Sequence, residues 1–323
     1  MLNVEMKTIL QKVFRHSELE SKPPVLVDVG ASCRRPAQWK LISPYSICVA
    51  FDADTRDFSV SESCGKDYKK LYSLNRLAAE KSANDVEFFL TRSPYCSSSL
   101  PPDITALKPW AFRHLFDVVK VVKMPAVDLT SALTEIAVDY IDWYKTDSQG
   151  TDLRIFRALP KDTIEKVIVA DFEPGIIDAY VGEDKLHSIM TYMDKRPFWI
   201  SHMQIKGSQR IDQEDLASLN ALQRRSIDSF LKMAPGWCEI SYLNKFEKDE
   251  LGLREYLLGW VFSSIKGEHG FALHIAKTGG IKFQDSLFVD LSAFSRKLLS
   301  TGYIKFCANT IKRIASMALF EAK

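Results

Sequence analysis

Two short apolar runs set the fold of this chain. Val25–Val29 (VLVDV) and Ile47–Phe51 (ICVAF) bracket a helix-sized segment around Ala37–Leu41. Runs of this length, rich in β-branched residues, read as buried strands. Strand, helix and strand in succession form a βαβ unit, and a βαβ unit requires a parallel sheet. The alternation continues downstream. Asn75–Lys81 has a helical pattern, and Val86–Leu90 (VEFFL) and Val118–Val122 (VVKVV) read as strands. Leu129–Ala137 reads as a helix opened by capping candidates around Asp128 and Thr130. Ile141–Thr146 is a strand, Asp152–Leu159 a helix stopped by Pro160, and Val167–Phe172 a strand. Trp199–Ile205 and Cys238–Leu243 are late strands, with Gln213–Met233 a helix between them. The expectation is an α/β, Rossmann-like sheet with helices on both faces.

The flanks differ. Residues 5–19 carry apolar positions at helical spacing, and Lys22-Pro23-Pro24 stops that helix. From about Phe246 the strands cease, and Leu251–Ile265, Phe271–Ala276 and Ser292–Ala315 all read as helices. The expected organisation is an N-terminal helix over 1–24, an α/β domain over 25–245 and a helical extension over 246–323. The extension is too apolar for a free helix. It packs on the α/β domain, forms a homodimer face, or acts as a lid hinged near Lys266-Gly267.

Composition narrows the partners. Of 323 residues, 43 are basic and 41 acidic, a net charge of +2 that gives no electrostatic case for nucleic acid. The six cysteines form no C-x-x-C pair, and a chain of this length has no need of disulfide staples. They are expected as reduced thiols in a cytoplasmic protein. The first residues lack the apolar core of a signal peptide, and no apolar run approaches the roughly 20 residues of a membrane helix.

The loop after the first run, Gly30-Ala31-Ser32-Cys33-Arg34-Arg35-Pro36, carries the strongest functional signal. In open α/β sheets, ligands bind at the carboxyl ends of the strands. Gly30 stands there, and Asp52, ending the second run, follows it by 22 residues. A carboxylate at that position offers two acceptors to a ribose diol. A dinucleotide would bring its pyrophosphate against bare backbone, which is why its loop is glycine-rich. This loop has one glycine followed by bulky residues. S-adenosylmethionine has no phosphate, and one Asp-x-Gly turn can serve it, with Asp28 near its positive methionine end. S-adenosylmethionine is therefore favoured over NAD. Arg34 and Arg35 are surface residues of a helix start or clamps for an anionic group.

Two further segments lie at the same sheet edge. One is Ser93-Pro94-Tyr95-Cys96-Ser97-Ser98, a serine-rich loop able to contact a cofactor. The other is Lys145-Thr146-Asp147-Ser148-Gln149-Gly150, in which Asp147 ends a strand and Gly150 turns the chain into a helix. Taken with Asp28-Val29-Gly30-Ala31 and Asp52, these four motifs, in this order and approximate spacing, resemble the FkbM family of S-adenosylmethionine-dependent methyltransferases. The similarity runs from about residue 25 to 180. It implies a class I methyltransferase fold, a seven-stranded, mostly parallel sheet with the last strand antiparallel. It also implies O-methylation of a sugar, glycan or glycosylated small molecule. Cofactor contacts are then expected from Asp28, Gly30, Ala31, Ser32, Asp52, Ala53, Ser97, Ser98, Asp147 and Gln149. The chain departs from the family in Ser32-Cys33-Arg34, where an Asn-x-Gly is common, and in Asp52-Ala53, where Glu-Pro is common.

A sugar hydroxyl is a poor nucleophile, so its proton needs an acceptor near the transition state. Asp147, Glu173 and His202 are the candidates, each with a competing role. Asp147 can instead bind the cofactor's ammonium group or cap a helix, Glu173 can bind a substrate hydroxyl, and His202 can be structural. Lys145 shares a strand face with Asp147 and can hold it ionised. Tyr95, Trp110, Trp143 and Tyr144 are aromatic residues near the same edge, and Tyr95, Trp110 and Lys145 are the expected acceptor contacts. Asp147, Asp171 and Glu173 form the one conceivable metal cluster, but no histidine pair accompanies them and no metal is expected. The rival readings are an NAD(P)-linked oxidoreductase and a methyltransferase-like scaffold without turnover.

Overall fold

In a computed structural model, residues 2–31, 35–54, 56 and 66–302 are described. The chain divides into two compact units, residues 23–247 and a second unit made of residues 1–22 with 248–323.

The larger unit is a mixed α/β fold built on a seven-stranded sheet. Its strands in chain order are β1 (Val25–Val29), β2 (Ile47–Phe51) and β3 (Lys70–Leu74). Next come β4 (Leu77–Ala79), β5 (Ala83–Thr91) and β6 (Val118–Asp128), which form a separate three-stranded sheet. The main sheet resumes with β7 (Trp143–Thr146), β8 (Val169–Phe172), β9 (Phe198–Gln209) and β10 (Met233–Asn244). Its order is β3-β2-β1-β7-β8-β10-β9. Neighbours from β3 to β8 run parallel, and β10 is antiparallel to both β8 and β9.

β1 and β7 are buried almost throughout, which is why they read as continuous apolar runs rather than alternating ones. Beneath the sheet, Tyr144 of β7, Phe156 and Phe172 of β8 stack with ring centroids 5.0–5.8 Å apart. The order of strands reverses direction between β1 and β7. The chain first builds outward through β2 and β3, then returns to the other side of β1. Such a switch point leaves a crevice at the carboxyl ends of the two strands.

Three expectations need correction. Asn75–Lys81 is not a helix: it leaves β3 and contains β4. Its Leu-Ala-Ala core satisfies helix propensity, but pairing with β6 overrides it. The third strand of the main sheet is Lys70–Leu74, not Val86–Leu90. Its KLYSL sequence is half-exposed at the sheet edge and carries too little apolar content to be noticed. Val86–Leu90 is a strand, but one paired antiparallel with β6. Gln213–Met233 is three short helices, Gln213–Ser218, Ala221–Arg225 and Ile227–Phe230, before Met233 opens β10. Each helix start is set locally: Asp212 and Asn220 cap the first two.

The second unit is helical. Leu2–Phe14 and Ser17–Ser21 are separated at His16, whose side chain accepts from the Glu18 amide and so starts a new helix. They join Leu253–Ile265, His269–Phe283 and a helix over 287–302. Leu253–Ile265 is buried on every face from Tyr256 to Ser264, which accounts for its unbroken apolar sequence. Gly279 lies flat under Phe288, where a β-carbon would come within 2.6 Å of the ring. The N-terminal helix belongs here through Glu5 to Lys297 at 2.7 Å and His16 to Asp285 at 3.1 Å. Among the described residues no helix is long and apolar enough to cross a membrane.

Candidate functional site

Two clefts open at the carboxyl ends of β1, β2 and β7. They share three residues, Tyr95, Asp147 and Gln149.

The first cleft has about 820 Å³ of space and is floored by the turn after β1. Gly30 has φ +80, a conformation that side chains resist. Its amide and that of Ala31 both donate to the Phe51 carbonyl at 2.9 Å, tying the ends of β1 and β2. A β-carbon on Gly30 would come within 2.2 Å of the Asp147 carbonyl oxygen. The Asp147 amide in turn donates to the Val29 carbonyl at 2.9 Å. Only glycine allows the ends of β1 and β7 to approach so closely.

The charges of this cleft are nearly all committed. Asp28, 4% exposed, takes a 2.7 Å hydrogen bond from the Lys145 ammonium of the adjacent strand. Burial alone would lower the affinity of Lys145 for its proton, but Asp28 and then Asp147 raise it, so the ammonium is kept. Asp54 receives the Arg56 guanidinium at 2.6 Å. Burial pushes Asp54 up, and the hydrogen bonds from Arg56 outweigh that and hold it below the usual range. Arg56 reaches on to the Thr91 carbonyl and the Ser97 hydroxyl, both at 2.9 Å.

Asp52 is the exception. It is 8% exposed, and its Oδ1 accepts from the Asp54 amide at 3.0 Å. Its Oδ2 is buried with no hydrogen-bond partner among the described residues. Burial, followed by the nearby Asp54 and Asp28 charges, pushes its carboxyl up to about 7. A buried carboxylate with one oxygen unsatisfied costs free energy that a donor from a ligand would recover. Leu77 and Ala78 of β4 and Phe88 of β5 add an apolar wall on the far side.

The shared wall is the 147–150 turn. Gln149 adopts φ +57 and Gly150 φ +102, so two successive left-handed residues throw the chain from β7 into the helix Asp152–Arg157. The Gln149 amide donates to the Asp147 carboxylate, and its oxygen accepts from the Tyr180 hydroxyl at 2.9 Å. The Ser98 hydroxyl donates to the Gln149 carbonyl at 2.7 Å, fastening the serine loop to this turn. Burial raises the Asp147 carboxyl to about 6 against the opposing pull of Lys145.

The second cleft has about 1100 Å³ of space. Phe112, Phe116, Tyr180 and Trp237 line it together with Glu173, Glu183 and Ser208. Phe112 lies 5.3 Å from Phe116 and 6.1 Å from Trp237, and Phe116 lies 5.6 Å from Tyr180, ring centroid to centroid. Glu183 is satisfied by the Ala179 amide at 2.7 Å and by Lys185 at 3.4 Å. Glu173 makes no hydrogen bond among the described residues, and burial, then Asp147 and Glu239, push it up to about 9.

Of the residues expected from sequence, Gly30, Asp52, Ala53, Tyr95, Ser97, Lys145, Asp147 and Gln149 line the first cleft. Glu173 joins Tyr95, Asp147 and Gln149 in the second. Asp28 and Ser98 stand one step behind, holding Lys145 and the 147–150 turn. Ala31 is buried against Phe51, and Ser32 lies outside the described residues. Trp110, 7% exposed, lines neither cleft and packs on Phe112 at 6.1 Å. Trp143 and Tyr144 are core residues. His202 is exposed on β9 and lines neither cleft. Asp171 is taken by Trp143, at 2.8 Å, and by Ser241, and among the described residues no group of three potential ligands converges on a metal. Sequence reading missed Asp54, Arg56 and the whole aromatic wall. Asp54 had a legible signal, as the second acidic residue of Phe51-Asp52-Ala53-Asp54. The aromatic wall had none, since its members come from three distant segments. No protein-family model matches the chain, and no curated protein matches it.

Proposed function

We propose that the protein is an S-adenosylmethionine-dependent O-methyltransferase of the class I fold, acting on a hydroxyl of a sugar, glycan or glycosylated small molecule. The observation that carries this reading is Asp52. Its unsatisfied Oδ2 sits at the end of β2, beside a turn with a single glycine. That is a fitting acceptor for a ribose diol. The sequence after β1 holds one glycine followed by bulky residues, which counts against a pyrophosphate and so against an NAD(P)-linked reaction. The seven-stranded sheet with β10 antiparallel agrees with the fold that this reading requires.

The remaining residues of the first cleft suit the rest of the cofactor. Leu77, Ala78 and Phe88 would face the adenine, and the Lys145 ammonium with the Asp147 carboxylate would take the opposite charges of the methionine end. When bound, the cofactor supplies a methyl group activated by a positively charged sulfur. The protein's part is placement and proton removal. Tyr95, Asp147 and Gln149 border both clefts, and transfer would take place at that border, where the acceptor oxygen would have to meet the methyl carbon directly. Asp147, which lines both clefts, takes the acceptor's hydroxyl proton. Glu173 faces the second cleft and holds the acceptor.

Titration of the protein with S-adenosylmethionine, S-adenosylhomocysteine and NAD tests the reading. Binding of the two adenosyl ligands and not NAD is the expected result. Binding of NAD alone would return the chain to the oxidoreductases, and binding of none would leave a scaffold.

A further inference from the structure

The second cleft is wider than a hydroxyl needs and has an unbalanced chemistry. Its rings form one connected surface, Tyr180 to Phe116 to Phe112 to Trp237, each step under 6.2 Å. Among the described residues no lysine, arginine or histidine lines it, whereas Asp147, Glu173 and Glu183 all do. Glu183 is neutralised by Lys185, but Glu173 has no partner among the described residues. Ser208, 8% exposed, also lines the cleft, and its hydroxyl makes no hydrogen bond among the described residues.

The backbone holds Glu173 and the rings together. The loop after β8 continues along β10, where the Ile176 and Ile177 amides donate to the Gly236 carbonyl at 2.8 and 3.1 Å. β10 bulges between Pro235 and Trp237 at that point. The bulge re-aims Trp237 toward the cleft that Glu173 faces. Aromatic faces carry negative quadrupoles, and Glu173 beside them can give up its proton to form an ion pair when a cation enters. The combination attracts organic cations, and repels anions such as phosphorylated sugars.

We infer that the second cleft takes a ring-bearing organic cation, an acceptor whose apolar ring lies on the Phe112–Trp237 wall and whose protonated amine pairs with Glu173. This rests on the methyltransferase reading only in calling the ligand the acceptor. The amine would satisfy Glu173, and an accompanying hydroxyl would come within reach of Ser208 and Asp147. Burial and the surrounding negative charge keep Glu173 protonated until a cation arrives, so the empty cleft carries no large uncompensated charge.

Three probes with one ring and three charges test this: phenethylamine, 2-phenylethanol and phenylacetate, titrated into the full chain. A preference for the amine over the alcohol on the order of tenfold is expected, from a desolvated cation–π contact and one ion pair. Phenylacetate should bind weakest. In Glu173→Gln, an isosteric change, the amine and alcohol should bind alike, while Trp237→Leu should weaken all three. Equal binding of amine and alcohol by the wild type, a preference for phenylacetate, or no binding of any probe would overturn the inference. A parallel titration with S-adenosylhomocysteine separates the two readings. If it binds and the amine preference is absent, the cation site alone fails. If it does not bind and the preference persists, the methyltransferase reading alone fails.

Discussion

The two clefts meet at one wall but are built on opposite plans. In the first, Asp28 pairs with Lys145 and Asp54 with Arg56, and the buried Oδ2 of Asp52 has no partner among the described residues. In the second, four rings supply the surface and Glu173 has no hydrogen-bond partner among the described residues. A network of paired charges is rigid and selects one ligand geometry, because every change leaves a buried group unsatisfied. An aromatic surface tolerates many shapes and selects mainly by charge. Under the proposed function, that division would suit one fixed cofactor and an acceptor of variable shape.

The comparison breaks first at Gly30. Gly30→Ala places a β-carbon 2.2 Å from the Asp147 carbonyl and forces a side chain into φ +80. Unfolding in denaturant should show a loss of about 3 kcal/mol, and S-adenosylhomocysteine binding should vanish. Next comes Lys145→Met, which leaves the Asp28 carboxylate buried and unpaired. A loss of roughly 2–4 kcal/mol is expected by the same measurement. Asp52→Asn should keep the fold and weaken S-adenosylhomocysteine about ten- to hundredfold, the worth of one or two hydrogen bonds to a charged group. Trp237→Leu should leave that affinity unchanged. A fall in it there would show that the clefts are not separate in function.

The smaller effects sharpen the second cleft. The Glu173 carboxyl is raised from 4.5 to about 9, so the folded state binds that proton more tightly than the unfolded chain. Its contribution therefore falls as pH rises between those values. Glu173→Gln should melt higher than wild type at alkaline pH by roughly 2–4 °C, with the gap closing toward acid. Methyl transfer, with Asp147 as the base, should rise with pH through about 6, and Asp147→Asn should abolish it. His202→Ala should change neither stability by more than about 0.5 kcal/mol nor ligand binding, since the residue is exposed on β9 and lines neither cleft.

The same contrast explains what the sequence made legible. β1, β2 and β7 are buried on both faces, so their apolar runs stand out. The residues that follow them face the switch point by topology alone, which is how Gly30, Asp52 and Asp147 were found. β3 and β4 were missed because an edge strand such as KLYSL and a short pairing such as Leu77–Ala79 draw their stability from neighbours rather than from local pattern. Phe112, Phe116, Tyr180 and Trp237 lie up to 125 positions apart in the chain. No local spacing marks them as one surface; only the bulge in β10 and the loop after β8 bring them together.

The central claim is that the first cleft holds an adenosyl cofactor with its ribose on Asp52. A structure of the protein soaked with S-adenosylhomocysteine tests it most directly. The ribose hydroxyls within hydrogen-bond distance of Asp52 Oδ2, with the adenine against Leu77 and Phe88, are the predicted result. The ligand bound elsewhere, or Asp52 left untouched beside it, would contradict the account.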